Sequence, residues 1–209
     1  MSFEKMTLTQ RVQAANIDCM RHPKFALLSG AIMLGKSEVV EKMPTAATNG
    51  RDKKYGAAFI EPLNRKQLRY LVLHENFHVA LKHCILFKET RKKYPKLTNI
   101  AQDYVVNALI EEIDPDFKFV ERPTQSLLID RKYFNWSFPQ VFNDLIKQGR
   151  KEPEKGRGNG EGDEGFDEPI DAHEDGEFDD DVTERDKLEK QVDDANRQGE
   201  MLARKLAGK

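Results

Sequence analysis

The sequence predicts an α+β fold, mainly helical, with a small sheet or hairpin flanking one central helix. Three observations predict it. A helix-forming apolar run over residues 68–81 carries His74 and His78 on one face. Asn49-Gly50, set between short apolar segments, signals a hairpin turn. Stretches 7–20, 98–110, 138–148 and 183–206 repeat apolar residues at helical spacing.

In chain order, Thr7 caps the first helix, Leu8, Val12, Ala15 and Cys19 line its apolar face, and Pro23 ends it. Residues 25–34 are mostly apolar and fit either a buried strand or a short helix, and periodicity does not choose between them. Residues 44–48 then lead into the Asn49-Gly50 turn, and 55–60 reads as the second extended arm of a hairpin. A strand beside a metal helix could take an extended peptide by strand addition, and Ala46, Ala47 and Thr48 are the candidate substrate-binding residues. The same small residues would also suit an inward-facing sheet surface.

Asn64 caps the central helix, with Gln67 three residues on in the manner of a capping box. The helix is expected to run through Leu81 and to end between His83 and Glu89. His74-Glu75-Asn76-Phe77-His78 reads H-E-x-x-H. One turn apart, the two imidazoles can reach one tetrahedral ion. Glu75, about 100° further round, can hold a water without ligating the ion. That division of labour is the zinc-protease pattern, with Glu75 as general base. His83 falls about 140° round a straight helix from His78. It is therefore expected to face away, as a supporting residue, and to ligate only if the helix bends or ends there. The longer metzincin pattern is absent, because Leu81 and Cys84 stand where it needs Gly and His.

A catalytic zinc usually takes three protein ligands, so a third must come from elsewhere. The helix expected from Thr98, its cap, to Ile110 is apolar nearly all round, yet it carries Asp103 and Asn107 four apart. A buried carboxylate is costly unless it is paired or metal-bound. Asp103 is thus the candidate third ligand, with Asn107 as its neighbour. Pairing of Asp103 with a buried Arg, or capping of a neighbouring helix, is the alternative.

Residues 113–137 read as irregular and aromatic-rich, and 138–148 as the last helix of the body. Residues 152–181 hold 14 of the 36 acidic residues and 2 of the 34 basic ones, which leaves the remainder at a net charge of about +10. This Gly-rich acidic stretch lacks the apolar residues needed to fold alone. The expected domains are therefore 1–150 as the body, 151–182 as a disordered linker and 183–209 as an amphipathic helix. In that helix Leu188, Val192, Ala195, Gly199, Leu202 and Leu206 form a narrow seam, able to dock on the body or to self-associate, and weakened by Gly199. The two cysteines have no C-x-x-C partner, the N-terminus shows no secretory pattern and no apolar run approaches a membrane span. A cytoplasmic protein without membrane contact is expected. Nucleic acid is not an expected partner, because the basic residues are spread along the chain without a recognised motif.

Taken together, Thr45-Ala46-Ala47-Thr48-Asn49-Gly50, His74-Glu75-Asn76-Phe77-His78 with His83, and Asn99-Ile100-Ala101-Gln102-Asp103-Tyr104-Val105-Val106-Asn107 resemble a zinc metallopeptidase domain family. In bacteria that domain often precedes a von Willebrand A-like domain, and in phages it also occurs alone. The resemblance spans roughly residues 20–150, and a stand-alone, phage-type member without a von Willebrand A-like domain is expected. It implies a zincin-like fold, Zn2+ held by His74, His78 and Asp103, Glu75 as general base, and a protein or peptide substrate. The competing reading is a non-enzymatic, metal-stabilised binding protein for a host or nucleic-acid partner. A structural zinc is closed by four protein ligands, whereas a catalytic one keeps an open position.

Overall fold

In the computed structural model residues 2–124, 127–149 and 182–208 are described. The acidic linker expected over 151–182 lies outside them, apart from Val182, which already belongs to the last helix. The described part is mostly helical with one small sheet, an α+β architecture.

Helix α1, Leu8–Arg21, starts on a capping box in which the Thr7 hydroxyl accepts from the Gln10 amide and Gln10 Oε1 accepts from the Thr7 amide. It buries Val12, Ala15 and Cys19. The apolar run that follows is helical: a 3-10 turn, Ala26–Leu28, leads into α2, Ser29–Met33. Strands β1 (Ser37–Val40), β2 (Ala46–Thr48) and β3 (Lys53–Gly56) form a sheet in the order β1-β3-β2. β2 and β3 are the expected hairpin, antiparallel with Ala46 opposite Tyr55. Its turn is held by side chains: Asn49 Oδ1 accepts from the amides of Arg51 and Asp52, and Gly50 takes φ +92°. β1 lies parallel to β3, with Ser37 opposite Lys53.

The second arm of the hairpin is shorter than expected. The strand stops at Gly56, and Ala57–Ile60 forms a single helical turn, α3. Ala57 and Ile60, three apart, are buried while Ala58 between them is exposed, which is a helical burial pattern and not an alternating one.

Helix α4, Arg65–Ala80, is the central helix. Asn64 Oδ1 accepts from the Lys66 and Gln67 amides and Gln67 Oε1 accepts from the Asn64 amide, the expected capping box. The helix ends at Ala80, earlier than expected, because Lys82 takes the left-handed conformation at φ +56° and turns the chain. Two short helices follow, α5 (His83–Leu86) and α6 (Lys88–Lys93), and then α7, Pro95–Ile113. α7 begins a turn before Thr98, which lies inside it and not at its cap. Pro95 stands at its first position, where no N–H is needed. Helix α8 spans Phe138–Lys147 and α9 spans Val182–Ala207. Among the described residues no helix is long and apolar enough to cross a membrane.

One buried cluster joins α1, the sheet and α4 through Val12, Cys19, Tyr55, Leu68 and Leu71. A second lies between α7 and α8, around Ile100, Val105, Val141 and Leu145. α9 closes a third, placing Leu188 and Val192 on Ala31, Val79 and Ile85. Gly199, expected to weaken the seam, lies where α9 comes against the body most closely. A Cβ there would stand 1.9 Å from the Leu27 carbonyl oxygen, and one at Gly30 would stand 1.8 Å from that of Ala195. The glycines let the two backbones touch. α9 also reaches the end of α4: Asn196 Nδ2 donates to the Ala80 carbonyl at 3.0 Å, and Lys82 pairs with Glu189 at 3.1 Å and Asp193 at 2.6 Å.

Lys53, fully buried on β3, ties the sheet to α2. Its Nζ donates to the carbonyls of Ala31 at 2.7 Å, Leu34 at 2.6 Å and Arg51 at 3.1 Å. Burial lowers its pKa from 10.5 to about 8, against the opposing pull of the Asp52 and Glu75 charges. Above pH 8 the unfolded chain therefore holds a proton that the folded chain has lost, and stability rises with pH. The window closes near pH 9, where the Cys19 thiol and the Tyr55 and Tyr70 phenols, all raised by burial, begin to act the other way. Denaturant melts of wild type are expected to gain about 1 kcal/mol between pH 8 and 9 relative to Lys53→Met. Parallel pH profiles for the two proteins would contradict this.

Candidate metal centre

α4 and α7 cross so that His74 and His78 face Asp103. All three are completely buried. His74 Nε2 lies 3.2 Å from His78 Nε2, and Asp103 Oδ1 lies 3.7 Å from the first and 3.5 Å from the second. A point equidistant from the three atoms lies about 2 Å from each, a bonding distance for a first-row metal ion. Among the described residues these three form the one group of His, Cys, Asp and Glu placed to hold an ion.

The hydrogen bonds behind the ligand atoms fix the imidazole protons. Asn107 Nδ2 donates to the Leu128 carbonyl at 2.9 Å, which orients the amide and leaves Oδ1 as the acceptor. That Oδ1 lies 2.9 Å from His74 Nδ1 and accepts from the Tyr70 hydroxyl at 3.3 Å. His74 therefore carries its hydrogen on Nδ1 and presents a lone pair at Nε2, toward His78 and Asp103. This is the arrangement expected behind a metal-ligating histidine. Asn107, singled out as a neighbour of Asp103, acts on His74.

His83 does not face away from the pair. The expectation assumed a straight helix, and α4 has already ended when His83 is reached. The turn at Lys82 brings His83 Nδ1 to 2.9 Å from His78 Nδ1. It sits behind His78, on the side away from the three converging atoms. The His83 carbonyl accepts from Arg91 Nη2 at 3.0 Å and Gln102 Nε2 at 3.3 Å. Neither donor was signalled by the sequence. Arg91 opens the basic run Arg91-Lys92-Lys93, which looks like a solvated surface, and Gln102 carries no motif.

Glu75 is also completely buried. Lys53 and Tyr55 share one face of β3, and the charge of Glu75 raises the pKa of each, though burial is the dominant cause in both and lowers that of Lys53. The Glu75 charge is thus felt at the sheet, while His74 and His78 face α7. Ala46, Ala47 and Thr48 form β2, an edge of the sheet, and each is at most 1% exposed. The Thr48 hydroxyl serves the turn, donating to the Asp52 carbonyl and accepting from the Gly50 amide. The Thr48 carbonyl accepts the Cys84 thiol at 3.6 Å.

Two imidazole nitrogens and a carboxylate oxygen form a donor set that suits a borderline divalent cation. The three atoms converge on one buried point, close enough together to share a single ion. The family model described as "Putative metallopeptidase domain" matches residues 7–208. No curated protein and no solved structure matches the chain.

Proposed function

The chain belongs to this metallopeptidase domain family, and from that premise we propose that it is a zinc-dependent peptidase with His74, His78 and Asp103 as ligands and Glu75 as general base. The observation that carries the reading is the convergence of three donor atoms from two helices, with His83 set behind His78 and not among them. Separations of 3.2–3.7 Å between the three donor atoms are short enough that the three residues would hold one zinc ion together. Three donors among the described residues would leave a fourth position for water, as catalytic sites do and structural ones do not. The zincin-like fold belongs to the same proposal, with β2 as the edge strand that receives the substrate.

Zinc, when bound, supplies a Lewis acid that brings a water's pKa to about 7 and polarises a carbonyl. The rest falls to the chain. Asn107 holds the His74 proton on Nδ1. His78, ligating through Nε2, carries its proton on Nδ1 and donates it to His83 Nδ1. Glu75 takes the proton of the attacking water and passes it to the leaving amine. Ala46, Ala47 and Thr48 offer a strand edge with small side chains, so that a peptide could lie close to α4. These residues are buried and the Thr48 carbonyl already accepts the Cys84 thiol, so a peptide would have to displace that contact.

That burial is also what favours the second reading, a metal-stabilised binding protein. Chelation separates the two. Untagged wild-type protein is expected to carry near-stoichiometric zinc by elemental analysis. Removing it should abolish cleavage of unfolded protein substrates, and added zinc should restore cleavage. Bound zinc without any cleavage, with unfolding on chelation, would favour the binding protein. No zinc uptake at all would sink the peptidase.

A further inference from the structure

The arrangement around the metal-facing atoms reaches outward through His83, and the carbonyl of that residue is held by two side chains from separate helices. We propose that Arg91 and Gln102 are positioning residues: they clamp the His83 backbone and thereby fix the imidazole that keeps Nε2 of His78 turned toward the metal. The inference rests on the metal reading of the preceding subsection.

A histidine ring turns about a broad terminal torsion. Which nitrogen it offers to a metal is set by the hydrogen bond of the other one. For His74 that partner is Asn107, anchored in turn by the Leu128 carbonyl. For His78 it is His83, on a four-residue helix just past the left-handed Lys82. So short a segment cannot hold itself rigid. Its later residues are held by the Cys84 thiol on the Thr48 carbonyl and by Ile85 under α9, and the two donors at the His83 carbonyl, Arg91 from α6 and Gln102 from α7, anchor its start.

Both donors are placed at a cost that this role explains. Gln102 is completely buried and immediately precedes Asp103. One helix therefore presents the metal-facing carboxylate, the amide that anchors His83 and, a turn later, the amide that orients His74. Arg91 is 7% exposed, and among the described residues no carboxylate pairs with it. Burying a guanidinium without a counter-ion is unfavourable, and its hydrogen bond goes to His83.

The test uses the full chain. Arg91→Met keeps the aliphatic stem and deletes the donor, Arg91→Lys restores a donor, and Gln102→Leu removes the second clamp. Zinc affinity is read by competition with a chromophoric chelator. The visible bands of the cobalt-loaded protein report the ligand geometry without any substrate. Arg91→Met is expected to weaken zinc binding by roughly 10–100-fold and to shift the cobalt bands, while the metal-free melting temperature stays near that of wild type. Gln102→Leu should act in the same direction, and Arg91→Lys should recover most of the loss. Wild-type affinity and cobalt bands in both Arg91→Met and Gln102→Leu would overturn the inference alone. So would a collapse of the metal-free melting temperature in all three variants without rescue by Lys, which marks a merely structural role. A wild type that takes up no metal overturns the peptidase reading and this inference with it.

Discussion

Asp103→Ala is expected to abolish tight zinc binding while leaving the metal-free protein as stable as wild type or more so. The two effects have different origins. Asp103 supplies one of three converging donors, and two imidazoles alone are a poor site. The loss should exceed the 10–100-fold typical of outer partners. At zinc concentrations about 1,000 times its dissociation constant, wild type gains about 4 kcal/mol from the ion, and the variant forfeits it. In the metal-free protein the sign reverses. Asp103 is completely buried beside two histidines, and taking a carboxylate out of water carries a desolvation cost, which alanine removes at the expense of a small cavity. Elemental analysis should show little zinc in the variant. Thermal melts should show a zinc-dependent rise in wild type only, from a metal-free baseline no higher than the variant's. Wild-type zinc content in Asp103→Ala would remove the residue from the site.

How much of this was legible in the sequence follows from how local each signal is. The cap at Thr7 and the capping box at Asn64 are set within three residues and appear as expected, and Thr7 proves to form a box as well. The facing of His74 and His78 follows from helical spacing, and Asp103 stood out as a carboxylate on an apolar helix that had to be buried. Asn107 stood out with it, although its contact with His74 needed the fold to reveal it. His83 was misprojected because the end of α4 is decided at long range. Lys82 is held left-handed beside Glu189 and Asp193, and Ala80 is capped by Asn196, all more than 100 residues away in sequence. β1 escaped for the same reason: its partner is β3 in parallel, and Ser37-Glu38-Val39-Val40 alternates too weakly to announce a strand. Gly199 looked like a flaw in the α9 seam until Leu27 was seen against it. Arg91 gave no signal, since nothing in a basic tripeptide says which member will be buried.

Glu75→Gln is expected to lower peptide hydrolysis by roughly 10²–10⁴-fold while zinc content stays at the wild-type level. The substitution keeps the shape and hydrogen-bonding reach of the side chain and removes only its capacity to take a proton. A ligand would lose metal when so changed, whereas a general base would not. The variant carries an internal control that needs no substrate. The Glu75 charge raises the Lys53 pKa, so its removal should move that lysine below its value of about 8, and a Lys53 titration followed by NMR would register the shift. A lowered Lys53 titration with intact zinc and lost hydrolysis ties the missing activity to the carboxylate and not to misfolding. Undiminished hydrolysis in the metal-loaded variant, with Lys53 shifted, would mean that the side chain is in place but that another group moves the proton. The buried charge of Glu75 would then serve to balance Lys53, and the base would have to be sought among the other residues around the three donors.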